Sequence, residues 1–248
     1  MKRIFLLLLL AVGFAAGCQQ ASTSSDASSD QKPEGTTSGS APAGTKTEEM
    51  EGEAKIPDEL QTPAYHWYGL NNTKPIHYRA TLPKGVTYEG DQTCSFKEMK
   101  DGKALFTLDR TEGLEQALGD ETIELAKDAV YTLGSTAFTN SIHSKELPAE
   151  VKAGQTWDVN VELKMQGNQT LKNKQHFKIV GPESVKTPTG THDALKIVST
   201  GEQTFNGTTY AAQSQYWYVR DHGLVKSISV LKAKGQSQTI TVEETPAK

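Results

Sequence analysis

Residues Thr156–Met165 read TWDVNVELKM. Trp157, Val159, Val161, Leu163 and Met165 alternate with Asp158, Asn160, Glu162 and Lys164. Successive side chains of a strand point to opposite faces, so a strict period of two describes a strand with one buried and one wet side. Shorter stretches of the same kind occur at 93–99, 103–109, 121–126, 129–134, 175–180, 193–199, 214–220, 224–231 and 238–243. Turn residues separate them: Lys100-Asp101-Gly102, Pro188-Thr189-Gly190, Asn206-Gly207 and Asp221-His222-Gly223. One short stretch, Glu112–Leu118, reads as a helix, with Leu114 and Leu118 one turn apart. The expected fold of residues 56–248 is therefore all-β, an antiparallel meander forming a curved sheet or half-barrel around an apolar face, with one short helix.

The same stretch of chain carries hints of an internal duplication. Trp67 and Trp157 lie 90 residues apart, as do Ala104-Leu105 and Ala194-Leu195. Lys127-Asp128 and Arg220-Asp221 follow at an offset of 93. Three landmarks in one order at nearly one spacing suggest two halves of about 90 residues.

Composition changes sharply before residue 56. Residues 19–55 contain no Leu, Ile, Val, Phe, Tyr or Trp, but seven Ser, five Thr, three Lys and seven acidic residues. Such a segment cannot bury enough apolar surface to offset its chain entropy, and it reads as a disordered acidic tether. A coil of that length spans roughly 30–36 Å root-mean-square. Its run Gly39–Lys46 lacks the Gly-Lys-Ser/Thr order of a phosphate loop. The chain of 248 residues carries a net charge of −4, which argues against a nucleic-acid-binding protein.

The first residues supply an address. Lys2 and Arg3 precede 14 uncharged residues, Ile4–Gly17, too few to span a bilayer and suited to a secretory signal. The stretch closes on Ala15-Ala16-Gly17-Cys18. This resembles the bacterial lipobox, with Ala15 in place of the more usual Leu. The resemblance implies a lipoprotein signal peptide at 1–17, diacylglycerol on the thiol of Cys18, a further acyl chain such as palmitate, and cleavage before that cysteine. Two or more acyl chains suffice for a durable membrane anchor. Residue 19 is Gln, not the Asp associated with retention in the inner membrane. By resemblance to lipoproteins of two-membrane bacteria, this favours the outer membrane. Acylation of Cys18 would leave Cys94 as the one free thiol, so no internal disulfide is expected.

A second resemblance lies in GQTWDV (154–159), ESVKTPTGTHDALKIV (183–198) and YWYVRDHGLVKSI (216–228). Together they are similar to a group of uncharacterised bacterial envelope and lipoprotein domains. His192 stands where that pattern prefers Phe or Tyr. The shared motifs are turn and core positions, and they imply kinship of fold, distantly like the half-barrels of periplasmic lipoprotein carriers. No functional residue is carried over by the likeness.

The search for chemistry yields little. His66, His77, His143, His176, His192 and His222 show no i, i+4 pair of the kind helical zinc sites use, so no metal and no cofactor is expected. There is no Gly-x-Ser-x-Gly elbow. Cys94 shares a strand face with Phe96 and reads as a small buried thiol. Arg220-Asp221-His222 resembles acid–base machinery as letters but reads as a hairpin corner. The clusters Tyr65-His66-Trp67-Tyr68 and Tyr216-Trp217-Tyr218 are the candidate binding features. With Trp217 directed inward, Tyr216 and Tyr218 would be displayed on the outer face of the sheet. The expected function is a non-enzymatic, lipid-anchored envelope protein presenting a β-domain to a protein or small-molecule partner. A carrier enclosing an apolar ligand or lipid is the alternative, and a hydrolase is the third reading.

Overall fold

The computed structural model describes residues 56–165 and 169–247. The signal peptide, Cys18 and the tether lie outside the described residues. After a 3-10 turn at Asp58–Leu60, the described residues form a short helix α1 (Pro63–Tyr68), continue through β1 (Ile76–Thr81), β2 (Thr87–Lys100) and β3 (Lys103–Arg110), and reach a second helix α2 (Glu112–Leu118). Then come β4 (Glu121–Leu125), β5 (Ala129–Ser135), β6 (Ser144–Pro148) and β7 (Thr156–Met165). The chain ends with β8 (Gln169–Thr187), β9 (Gly190–Phe205), β10 (Thr208–Val219), β11 (Gly223–Ala233) and β12 (Gln236–Glu244). Every expected strand is present, the expected helix at 112–118 is α2, and the fold is all-β.

All twelve strands form one antiparallel sheet in the order β6-β5-β4-β3-β2-β1-β12-β11-β10-β9-β8-β7. Each strand pairs with its neighbour in sequence except at β6/β7, and β1 pairs with β12, Tyr78 opposite Glu244. The edge strands β6 and β7 curl toward each other. Thr139 N–H donates to Lys164 O at 2.7 Å, Lys164 N–H to the Asn140 side chain at 2.6 Å, and the Trp157 indole to Lys145 O at 3.2 Å. These bonds bring the sheet to a nearly closed barrel, further curled than a half-barrel. Register shifts at 96/98, 122/123, 130/131, 179/181 and 217/218 help it bend, because a bulge sharpens local twist.

Two six-stranded meanders thus lie side by side. Ala104-Leu105 and Ala194-Leu195 fall on β3 and β9, each the third strand of its half. Lys127-Asp128 and Arg220-Asp221 lie in the turns before β5 and β11, the fifth of each half. Trp67 and Trp157 break the correspondence, one lying on α1 and the other on β7.

The period of two is realised on β7, where Trp157, Val159, Leu163 and Met165 are buried and Val161 is half-buried. Phe177, Ile197 and Tyr216 on the following strands extend the same core. The segment before β1 fills one part of it: Ile56, Leu60, Ala64, Tyr65 and Leu70 pack among Phe106, Ile123, Leu147 and Trp157. Helix α2 fills another, with Leu114, Ala117 and Leu118 against Tyr78, Ala80, Leu231 and Val242. The cluster Tyr65-His66-Trp67-Tyr68 therefore lies on a helix, not a strand. Pro63 starts it with its φ already helical, and Gly69 ends it at φ +77°. A Cβ on Gly69 would stand 2.6 Å from the carbonyl oxygen of His222, so this glycine also permits close docking of α1 on the β10–β11 turn.

Candidate functional site

Beside α1 the barrel holds a partly open cavity of about 70 Å³. Four tyrosines from three elements face it: Tyr68 from α1, Tyr78 from β1, and Tyr216 and Tyr218 from β10. The expected outward display of Tyr216 and Tyr218 is overturned. Trp217 is the residue on the outer face, where Lys196 lies 5.2 Å over its ring and Glu183 accepts its indole N–H at 3.1 Å. Alternation on β10 then turns both tyrosines inward. The rings of Tyr68 and Tyr218 stack at 6.0 Å and 25°, and Tyr216 stacks on Phe177 at 6.1 Å. The Tyr78 hydroxyl donates to Leu224 O at 2.5 Å. Burial raises all four phenol pKa values, that of Tyr216 to about 12.

Charged groups also reach this interior. Arg110, at the end of β3, and Glu121, at the start of β4, form an ion pair of 2.7 Å with side chains 2% and 4% exposed. Arg110 Nε donates to Gln92 Oε1 at 2.9 Å and Nη1 to Gly119 O, so all three of its nitrogens are engaged. Burial lifts the Glu121 carboxyl above its usual range, and Arg110 draws it only part of the way back. Both residues continue the inward phase of their strands, after Phe106 and Leu108 and before Ile123 and Leu125. A charge in phase with an apolar face was the sequence signal for them, and the search for catalytic motifs passed it over.

Glu146 is the third charged group. In the β5–β6 ladder Val130 pairs with Leu147 and Tyr131 with Lys145, leaving Glu146 as the extra residue of a bulge. The bulge turns its side chain inward, where the residue is 8% exposed and lines the cavity. Thr132 Oγ1 donates to Glu146 Oε1 at 2.8 Å. Among the described residues no Lys, Arg or His forms an ion pair with it: Lys103 and His143 are held by Glu124 at 2.9 and 3.0 Å. Burial, reinforced by the negative charge of Glu121, pushes the Glu146 carboxyl well above the usual range. It is a neutral acid under conditions that ionise ordinary glutamates.

A polar belt adjoins this group on the second half of the barrel. Ser199, Ser214 and Ser229 stand in register across β9, β10 and β11. Asn173, Gln175, Gln203 and Ser227 are buried with them. Ser214 and Ser229 bond to each other at 2.8 Å. Asn173 Oδ1, both amide atoms of Gln175, Ser199 Oγ, Ser227 Oγ and the Tyr216 hydroxyl have no partner within the protein. Ser199, Ser214 and Ser229 lie near the Tyr216 hydroxyl and temper its pKa, without meeting it in hydrogen-bond geometry.

Cys94 lies on the cavity wall, buried, with its Sγ 3.9 Å from Leu70 O. Burial raises its pKa to about 12, so it is a thiol and not a thiolate nucleophile. Arg220-Asp221-His222 forms the β10–β11 turn, with Asp221 at φ +59°. The turn also latches α1. Asp221 Oδ1 is 2.5 Å from His66 Nδ1 and accepts from Asn71 at 2.6 Å, while Asp221 N–H donates to His66 O. The remaining histidines have separate polar partners: His77 faces Asp91, His143 faces Glu124, His176 faces Asp158, His222 faces Glu244 and His192 faces Thr187, with the rings of His192 and His222 stacked at 6.5 Å. No group of three or more His, Cys, Asp or Glu among the described residues is placed to hold a metal ion. No helix among them is long and apolar enough to cross a membrane.

These features define a nearly closed, helix-plugged antiparallel β-barrel with a small aromatic and acidic cavity. Two solved structures share this architecture. One is an exported protein with a YmcC-like fold from Bacteroides fragilis, 15% identical over 74% of this chain and 99% of that chain, with a TM-score of 0.52. Another, described as a lipoprotein of Parabacteroides distasonis, is 13% identical over 72% of this chain and 97% of that one, with a TM-score of 0.51. At these identities the likeness is one of fold. LprF from Mycobacterium bovis aligns with a TM-score of only 0.26, too low to bear on the fold. No family model matches the chain, and no curated protein matches it.

Proposed function

We propose that this chain is a bacterial envelope lipoprotein, anchored by acylation of Cys18, whose barrel binds a small ligand in its interior and performs no catalysis. The observation that carries the binding reading is the cavity itself: four tyrosines and a carboxyl without a cationic partner converge on one partly open pocket. Ligand sites characteristically combine aromatic walls with a few convergent polar groups. Binding is favoured over hydrolysis because the cavity's thiol is held protonated and every nitrogen of its one guanidinium is engaged. A lipid carrier is disfavoured, because a cavity of about 70 Å³ falls short of the ~300 Å³ at which drug-sized ligands are enclosed.

The sequence places the anchor. The basic start, the uncharged core and Ala-Ala-Gly before Cys18 support lipoprotein processing, and Gln19 supports sorting to the outer membrane where two membranes exist. The membrane is then a partner through lipid alone. Labelling cells with a fatty-acid analogue tests this half of the proposal. Wild type should incorporate the label, and Cys18→Ala should accumulate as unlabelled, uncleaved precursor. Equal labelling of both proteins, or of neither, would show the anchor assignment to be wrong. Native mass spectrometry of the purified chain tests the other half, with a co-purified small molecule expected in place of an acyl lipid.

A further inference from the structure

The charges within the barrel do not balance. Arg110 is closed on Glu121 at 2.7 Å, and the second carboxyl, Glu146, has only the Thr132 hydroxyl. Around it stand the electron-rich rings of Tyr68, Tyr216 and Tyr218, from α1 and β10. Aromatic faces attract cations, most strongly where water is excluded. An acid buried without a counter-charge has a place for one. We propose that the cavity is a binding site for a small organic ammonium ion, a primary or methylated amine, held between the tyrosine rings and the carboxylate of Glu146. This deepens the small-ligand reading above and rests on it.

Neutral hydrogen-bonding ligands fit less well. They would leave the acid protonated and would use the tyrosine hydroxyls, of which Tyr78 already donates to Leu224 O. An ammonium ion instead draws the proton off Glu146, making an ion pair where none existed. The groups facing that carboxyl are Glu121 from β4, Tyr68 from α1, Tyr216 and Tyr218 from β10, and Thr132 from β5, while Arg110 of β3 is closed on Glu121. None of the other five moves to a new charge state when Glu146 ionises, since the tyrosines are raised above 10 and the Arg110–Glu121 pair is already formed. At the rim Lys74 is exposed, and His222 is tied to Glu244 at 3.0 Å. The cavity of about 70 Å³ limits the guest to an amine of a few heavy atoms.

Calorimetric titration of the full chain in detergent with ethylammonium chloride, against 1-propanol as a neutral alcohol of similar size, provides the test. Ethylammonium should bind at least about tenfold more tightly. Wherever Glu146 is protonated in the free protein, the heat of ethylammonium binding should vary with the ionisation enthalpy of the buffer, reporting proton release on binding. Glu146→Gln keeps the shape of the side chain and should lose the amine preference and the proton release together, with its urea midpoint confirming that it folds. Equal affinity for the two titrants, or an unchanged amine preference in Glu146→Gln, overturns the amine assignment. Binding of 1-propanol alone overturns it too, while leaving the cavity as a ligand site. Binding of neither compound overturns both readings.

Discussion

Arg110→Met puts the buried ion pair to a quantitative test. The guanidinium makes a 2.7 Å bond to Glu121, a 2.9 Å bond to Gln92 and a further bond to Gly119 O, with its side chain 2% exposed. Removing it strands a carboxylate whose own side chain is 4% exposed. Breaking one partner of a buried pair destabilises by about 3–5 kcal/mol, because the survivor keeps its desolvation penalty. Methionine retains most of the volume, so the cavity term is small. The double variant Arg110→Met/Glu121→Leu removes the stranded charge and leaves the Gln92 amide and the Gly119 carbonyl short of partners, about 1–2 kcal/mol each by the usual scale of orphaned groups. The second substitution should therefore recover roughly 1 kcal/mol. Urea unfolding of the single and double variants reads this directly, provided their slopes agree. The reasoning fails if the double variant is as unstable as Arg110→Met, or if Arg110→Met costs under about 1 kcal/mol.

Two further outcomes follow from the same geometry. Glu146 is raised well above the usual carboxyl range in the folded state, so between the unfolded pKa near 4.5 and the folded value the native state binds one more proton. Its effect on stability is absent below the unfolded pKa and grows more unfavourable as pH rises through that window, by up to about 1.4 kcal/mol per pH unit. Glu146→Gln should accordingly be the more stable protein at neutral pH, with the gap closing toward pH 4.5 in urea titrations run across pH. Gly69→Ala forces an L side chain to φ +77° and into the His222 carbonyl, and should cost about 2 kcal/mol or more, read as a lower midpoint in thermal unfolding.

Most of the fold was legible because the strands that carry it obey a period of two. Thr156–Met165 could hardly be misread, and the glycine turns marked where neighbouring strands must reverse. The strands that escaped notice had weaker signals. β6 is SKELP, with one aliphatic residue and a proline that only an edge strand tolerates. β1, IHYRAT, alternates properly but is brief, and the Pro83-Lys84-Gly85 turn that follows it was not weighed as a strand end. Aromatic residues hid α1, since Tyr and Trp favour strands until Pro63 and Gly69 are weighed as helix ends. The candidate site was half legible. Arg110 and Glu121 sit in phase with apolar neighbours, and a charge in that phase is visible in sequence. Glu146 is not in phase with anything. It faces inward because a bulge inserts it, and bulges depend on the partner strand, which the local sequence does not name. The inward turn of Tyr216 and Tyr218 was missed for another reason: alternation fixes that they oppose Trp217, but not which face is the interior.

The interior chemistry argues about function independently of any single residue. A barrel that enclosed acyl chains would line its wall with aliphatic side chains, since each polar group facing hydrocarbon loses its hydrogen bonds. Here the second half presents Ser199, Ser214, Ser227, Ser229, Asn173, Gln175 and Gln203 to the inside, and the first half contributes an ion pair and a neutral acid. Six atoms in or beside the polar belt have no partner within the protein. Such groups cost about 1–3 kcal/mol apiece when nothing satisfies them. The hydrogen-bonding capacity of Ser199 and Ser227 lies beside a cavity bounded by four tyrosines and the Glu146 carboxyl. The helix over that cavity is held at the Asp221 turn by the His66 and Asn71 hydrogen bonds and the close approach of Gly69. A small polar guest suits the aromatic walls, the unmatched acid and the buried hydroxyls together, and a lipid guest suits neither the acid nor the hydroxyls.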